Sequence, residues 1–180
     1  MGISTKFTHA DFLQLPGDRR YEIVDGEVLA TLWPYVSHQR IVGRCLFPLL
    51  LYLKQHPLGV AFTYLDVILS DHDVLEPDIV VVLNERRNIL QDWIRGTPDI
   101  VIEVLSSSTA GNDRGPKLKA YARFGVSEYW IVDPNARAIE AYRLGKEGYE
   151  PPRIFREQED LTSLALPGFV LPVGKVFEPD

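Results

Sequence analysis

The sequence predicts a mixed α/β fold, and three observations carry that prediction. Two runs, residues 79–83 and 100–105, are almost continuously apolar, the pattern of central strands covered on both faces. Between Ser37 and Gln55 the residues Ile41, Val42, Cys45, Leu46, Leu49, Leu50 and Leu53 recur at helical spacing. Near the N-terminus Asp25-Gly26 divides two β-rich runs, residues 21–24 and 27–32, as a tight hairpin turn does.

The totals bound the answer. At 180 residues the chain suits one domain with a substantial core, so residues 1–180 are expected to form a single unit. A composition of 46% hydrophobic and 24% charged residues, without repeats, is that of a globular protein. The single cysteine, Cys45, rules out an internal disulfide framework and a cysteine-rich zinc site. The first twenty residues lack a signal-peptide core, and the longest apolar run, 45–53, is well short of the roughly 20 residues of a membrane span, so a cytoplasmic location without a membrane partner is expected. A net charge of −6 argues against a surface coated in basic patches. It leaves room for a site that gathers carboxylates around a divalent cation.

Taken in order, Thr8 caps a short helix to Leu15 with Phe12 and Leu15 inward. In the hairpin of residues 20–32, Tyr21 and Ile23 share one face and Glu22 and Val24 the other; alternation alone reads Glu22 as a solvated strand residue. The helix of residues 37–55 contains Pro48, which is expected to kink it, and starts beside His38, read on pattern as a capping or packing residue. After Gly59 the run 60–70 reads as one strand, and Asp71-His72-Asp73 as a charged turn into the strand after Asp78. Residues 84–96 suit a short helix pairing Ile89 with Trp93, and carry Arg86, Arg87 and Arg95. A strand over 128–134 ends at Asp133-Pro134-Asn135, a hairpin around residues 145–148 has an edge strand marked by Pro151 and Pro152, and residues 166–171 form a last strand.

The chemistry centres on residues 98–125. Glu103 interrupts a strand that is otherwise apolar, and a carboxylate there needs a cation, a metal or several donors. In the helix that follows, Asp113 reads as the N-cap, Pro116 as a first-turn residue and Gly125 as the stop. Lys117, Tyr121 and Phe124 fall at i, i+4 and i+7, which turns Lys117 inward, while Lys119 and Arg123 take a solvated face. Of two Pro-Asp-Ile-Val segments, the one holding Asp99 puts its carboxylate roughly 13 Å from Glu103 along the same strand, at about 3.3 Å per residue. Asp78 opens another strand and meets Glu103 if the two strands are neighbours; a pair of carboxylates with waters suits a hard cation such as Mg²⁺.

An acid on an early element, Pro-Asp on one strand, a glutamate in the next and a nearby lysine resemble the PD-(D/E)XK nuclease superfamily. Tyr21-Glu22 with Asp25-Gly26-Glu27, His38, Pro77-Asp78, Glu103-Val104-Leu105-Ser106, Asp113-Arg114 with Lys117, and Gly125-Val126 with Glu128-Tyr129-Trp130 more closely resemble the Uma family of restriction-endonuclease-like proteins. The resemblance implies an α+β mixed sheet with a restriction-endonuclease-like αβββαβ core, extended by the N-terminal hairpin and extra C-terminal strands. It implies Asp78 and Glu103 as metal ligands for Mg²⁺ or Mn²⁺, with Glu22 and His38 as additional site residues. The superfamily's lysine sits two residues after the strand acid, where this chain has Leu105, so Lys117 is the replacement. The implied activity is hydrolysis of phosphodiester bonds in nucleic acid, expected to be DNA, by metal-activated water, with a homodimer serving to cut two strands. The alternatives are a catalytically inactive nucleic-acid-binding domain, or a protein-interaction domain in which Glu103 and Lys117 form a structural ion pair.

Overall fold

The computed structural model describes residues 6–17, 19–31 and 33–179. Leu32, the last residue of the expected hairpin, lies outside them.

Thr8 caps α1 (His9–Phe12) through a reciprocal bond pattern with Asp11. The hairpin of β1 (Arg20–Val24) and β2 (Glu27–Thr31) turns at Asp25 and Gly26, whose φ values of 51° and 78° are the two left-handed positions of a type I′ turn. Next comes α2 (Val36–Gln55), which buries Val42, Cys45, Leu49, Tyr52 and Leu53 and runs through Pro48. Leu50, expected on that stripe, is exposed. The run read as one strand divides into β3 (Gly59–Phe62) and β4 (Val67–Ser70), which belong to different sheets. The break contains Tyr64, held at φ 54°, a left-handed conformation that no extended strand accommodates.

The turn at Asp71 and His72 leads from β4 into β5 (Asp73–Leu75), antiparallel to it, and β6 (Ile79–Leu83) follows. Residues 84–89 are a 3₁₀-helix, which ends before Trp93, so Ile89 and Trp93 do not share a helical face. Ile89 joins the core that also holds Val80, Val101 and Tyr121, whereas Trp93 packs with Ile23, Ile68 and Val74. Then come β7 (Ile94–Arg95) and β8 (Ile100–Val104). The helical segment after β8 comprises α3 (Ala110–Asn112), a five-residue π turn (Asp113–Lys117) and α4 (Leu118–Phe124). Asp113 is therefore inside the helix rather than its cap. Pro116 has no N–H to give an α-turn, and the wider turn absorbs it. Gly125 ends α4 at φ 83°, as its reading as a stop requires.

The remaining elements are β9 (Glu128–Asp133), β10 (Ala138–Gly145), β11 (Gly148–Tyr149), β12 (Arg153–Arg156), β13 (Asp160–Thr162), β14 (Val170–Pro172) and α5 (Val173–Val176). Pro151 and Pro152 separate β11 from β12, both of which pair with β10. One sheet has the order β11-β10-β9-β8-β6-β3, with β8 and β9 parallel and the other neighbours antiparallel. The elements α2, β3, β6, β8, the 110–124 helix and β9 reproduce the αβββαβ order. A second sheet, β2-β1-β5-β4-β7, is built from the hairpin and from residues inserted between β3 and β8.

Strand alternation sorts the core. Ile79, Val81, Ile100, Ile102 and Val104 pack toward α2 and the C-terminal segment; Val80, Val82, Val101 and Leu105 pack toward α4 and the second sheet. Asp78 and Glu103 continue the second set, so both carboxylates point to the α4 side.

Candidate active site

The antiparallel register aligns Ile79 with Ile102 and Val80 with Val101; one step further, Asp78 stands opposite Glu103. The backbone N–H of Asp78 reaches Glu103 Oε2 at 3.4 Å, and the N–H of Val104 donates to Asp78 Oδ2 at 2.8 Å. Both side chains are buried at one end of the strand pair. Asp99 lies elsewhere, accepting from the Leu83 N–H and pairing with Arg86.

Lys117 comes down from the helix that covers the same face. Its Nζ is 2.6 Å from Glu103 Oε1, 3.0 Å from Glu22 Oε1 and 3.2 Å from Asp113 Oδ1. Leu105, on the Glu103 face of β8, packs in the core instead. The ammonium thus arrives from the helix at the side of the sheet where a lysine at position 105 would have originated.

Glu22 is buried and not solvated, because β1 is covered on the side that faces the cleft. It also accepts the Glu76 N–H at 2.9 Å, and Glu76 in turn accepts from Arg20 Nε at 2.9 Å. His38 Nε2 lies 3.0 Å from the Val104 carbonyl and 3.2 Å from Asp78 Oδ2. A carbonyl can only accept, so Nε2 carries a proton. His38 therefore touches the acidic pair directly, beyond the packing role its sequence position suggested. Tyr121, legible only as a core residue, donates its OH to Glu103 Oε1 at 3.0 Å. Arg114 points away, to Asp133 Oδ2 at 2.7 Å and to Glu140.

Asp113 was visible as a charged residue four before Lys117, but helical capping competed for the same signal. Glu76 and Arg20 gave no signal beyond their charge, since only the pairing of β1 with β5 brings them to the rim.

Three carboxylates surround one ammonium and Asp78 adds a fourth beside Glu103, which leaves an excess of negative charge. Burial, and then Asp113, Asp78 and Glu22 acting against Lys117, push the Glu103 carboxyl well above its ordinary value. Burial opposes the charge on Lys117, yet Glu103 and Glu22 outweigh it and hold the ammonium well above the usual lysine range. Burial likewise opposes the charge on His38, but the Asp78 carboxylate raises its pKa.

These groups floor a cleft of about 350 Å³. Trp33, Pro34 and Tyr35 form one lip, and residues 106–109 with Pro134 and Asn135 line the rest. Among the described residues, no group of three or more His, Cys, Asp or Glu side chains is arranged to hold a metal ion. Two carboxylates meet the protein's share of a Mg²⁺ shell, which otherwise consists of waters and substrate oxygens. The surplus negative charge beside the cleft is also what a dication would relieve, so Asp78 and Glu103 fit that ion.

A crystal structure from Anabaena variabilis, described as "a putative nuclease belonging to DUF820", matches with a TM-score of 0.81 at 21% identity, covering 95% of this chain and 97% of that one. An uncharacterised protein of Synechocystis, sll1609, is 26% identical over 142 residues, 76% of this chain and 80% of its own length. The model of the Uma2 family, described as "Putative restriction endonuclease", matches residues 9–174. With the restriction-endonuclease-like core already evident in the strand order, that match over nearly the whole length means that the chain belongs to the Uma2 family.

Proposed function

We propose that this protein is a Mg²⁺-dependent nuclease in which Asp78 and Glu103 hold the cation and Lys117 acts beside it on the scissile phosphate. Mn²⁺ serves as the alternative ion. The observation that carries the reading is the 2.6 Å approach of Lys117 Nζ to Glu103 across from Asp78. Asp78, Glu103 and Lys117, the two acids and the lysine that the resemblance implies, lie together at one strand end, although the lysine comes from a helix. Family membership supports the same reading.

The bound cation would lower the pKa of a water and draw charge from the phosphoryl oxygens. The chain's own residues do the rest. Glu22 and Asp113 keep Lys117 protonated and aimed, so that its ammonium can stabilise the charge that develops as the water oxygen attacks phosphorus and the phosphorus–oxygen bond to the leaving sugar breaks. His38 and the Val104 amide fix Asp78, and Tyr121 fixes Glu103, so the two acids are oriented before substrate arrives.

The test is cleavage of labelled single- and double-stranded DNA and RNA with Mg²⁺ or Mn²⁺, comparing wild type with Glu103→Ala and Lys117→Ala. Cleavage by wild type and loss in both variants is the expected result. Cleavage that survives in both, or no cleavage of any substrate with either metal, would overturn the assignment.

A further inference from the structure

The lips of the cleft carry rings that packing does not explain. Trp33 is 64% exposed and Tyr35 74% exposed, and both line the cleft from the segment between β2 and α2. Outside the lining, a third ring, Tyr64, is 44% exposed on the left-handed backbone position between β3 and β4, with the guanidinium of Arg20, a lining residue, 5.6 Å from its centre. A bulky residue kept in that conformation beside a candidate site is a feature folding alone would not favour.

The charge of the cleft speaks to what those rings meet. Its lining holds two permanent cations, Arg20 and Lys117, against five carboxylates: Glu22, Glu76, Asp78, Glu103 and Asp113. Both cations are already engaged, Arg20 by Glu76 and Lys117 by its three acids. Duplex affinity comes mainly from many Lys and Arg that neutralise phosphates along the backbone, and beyond the contact of Lys117 with the scissile phosphate this lining offers none. Unpaired bases offer a different source, because every base has a free π-face that stacks on an aromatic side chain. In a duplex those faces are stacked on one another.

We propose that the cleft takes unpaired nucleic acid, with bases next to the scissile phosphate stacked on Trp33 and Tyr35. The proposal rests on the nuclease reading and gives it a substrate class. A volume of about 350 Å³ suits a nucleotide-sized group, near the lower end of the roughly 300–1,000 Å³ of small-ligand sites. Specificity for base sequence is expected to be low, since stacking is tolerant of base identity.

The test is fluorescence anisotropy with short labelled oligonucleotides at fixed ionic strength, with Ca²⁺ in place of Mg²⁺ to suppress turnover. Unpaired DNA or RNA should bind at least about tenfold tighter than a duplex of the same sequence, and an abasic strand should lose that advantage. Trp33→Ala and Tyr35→Ala should each weaken binding by about fivefold or more, and Trp33→Phe should restore most of it. The DNA and RNA arms show which sugar is preferred. Equal or tighter duplex binding, alanine variants that bind like wild type, or no binding to any probe would overturn the proposal. Cleavage of duplex with both rings dispensable would overturn it and leave the nuclease standing. Ring-dependent binding of unpaired strands without cleavage under any metal would do the reverse.

Discussion

Glu103 and Glu128 are both buried glutamates on adjacent parallel strands, and they are held in opposite ways. Glu128 is fully occupied: Oε2 accepts the Trp130 indole N–H at 3.0 Å, while Oε1 takes the Ser163 hydroxyl at 3.0 Å and the Leu164 and Ala165 amides at 2.7 and 3.0 Å. Those donors come mostly from one turn of the C-terminal segment, so the carboxylate pins that segment to the sheet. Glu103 is held by a lysine, a tyrosine and one long amide contact, in the company of three more acids and at the floor of a cleft. Burial alone therefore does not mark a site. What separates the two is whether the surroundings satisfy the charge or leave an excess of it facing an opening.

The comparison can be broken most forcefully at Glu128. Glu128→Ala strands four donors, each costing about 1–3 kcal/mol, so urea unfolding should show a loss of at least about 3 kcal/mol. Cleavage per folded molecule should stay at the wild-type level; a selective loss of activity would erase the distinction between the two glutamates. Lys117→Met comes next. It leaves three buried carboxylates without their cation and should cost about 3 kcal/mol by the same measurement, with cleavage lowered on the order of 10²–10³-fold. Glu103→Gln should be milder for stability, within about 1 kcal/mol, because Lys117 keeps Glu22 and Asp113. Its cleavage should nevertheless vanish, as should any rise in melting temperature on adding Mg²⁺.

Asp66 supplies the smallest and most graded test. It is half-buried near Glu76, and burial followed by that carboxylate raises its pKa to about 6. The native state thus binds more protons than the unfolded chain between the ordinary carboxylate range and about pH 6, and stability falls as pH rises through that window. Asp66→Asn should remove this slope, matching wild type at low pH and exceeding it near neutrality in parallel urea titrations.

Much of the site was legible because it depends on patterns that strands and helices impose. Continuous apolar runs marked β6 and β8 as buried central strands, and the i, i+4 spacing of Lys117 and Tyr121 turned the lysine inward; both side chains are buried on one helix face. The misreadings share one physical cause, competition between local and long-range signals. Alternation in β1 separates Glu22 from Ile23 without saying which face a later element covers. Asp113 satisfies the preferences of an N-cap, yet Thr109 starts the helix and a buried lysine claims the carboxylate. The second sheet was legible only in its hairpin, since an interior pairing joins that hairpin to β5, a strand that follows only after α2, β3 and β4; Ile23 pairs with Val74. Glu128 looked like any other strand residue, for three of its four donors, Ser163, Leu164 and Ala165, lie far along the chain in the C-terminal segment.

The π turn of residues 113–117 also sets an angle. Asp113 and Lys117 lie at i and i+4 across that turn, close to one full turn apart, so both side chains meet on one face of the helix with 3.2 Å between carboxylate and ammonium. The ammonium thereby faces Glu103 and Asp113 together. The Tyr129 hydroxyl, bonded to the Asp113 carbonyl at 3.1 Å, clamps the widened turn to β9. In the proposed nuclease the phase of a helix takes over what a two-residue spacing along a strand otherwise encodes, and Lys117 reaches Glu103 from a distance in sequence because that phase is kept.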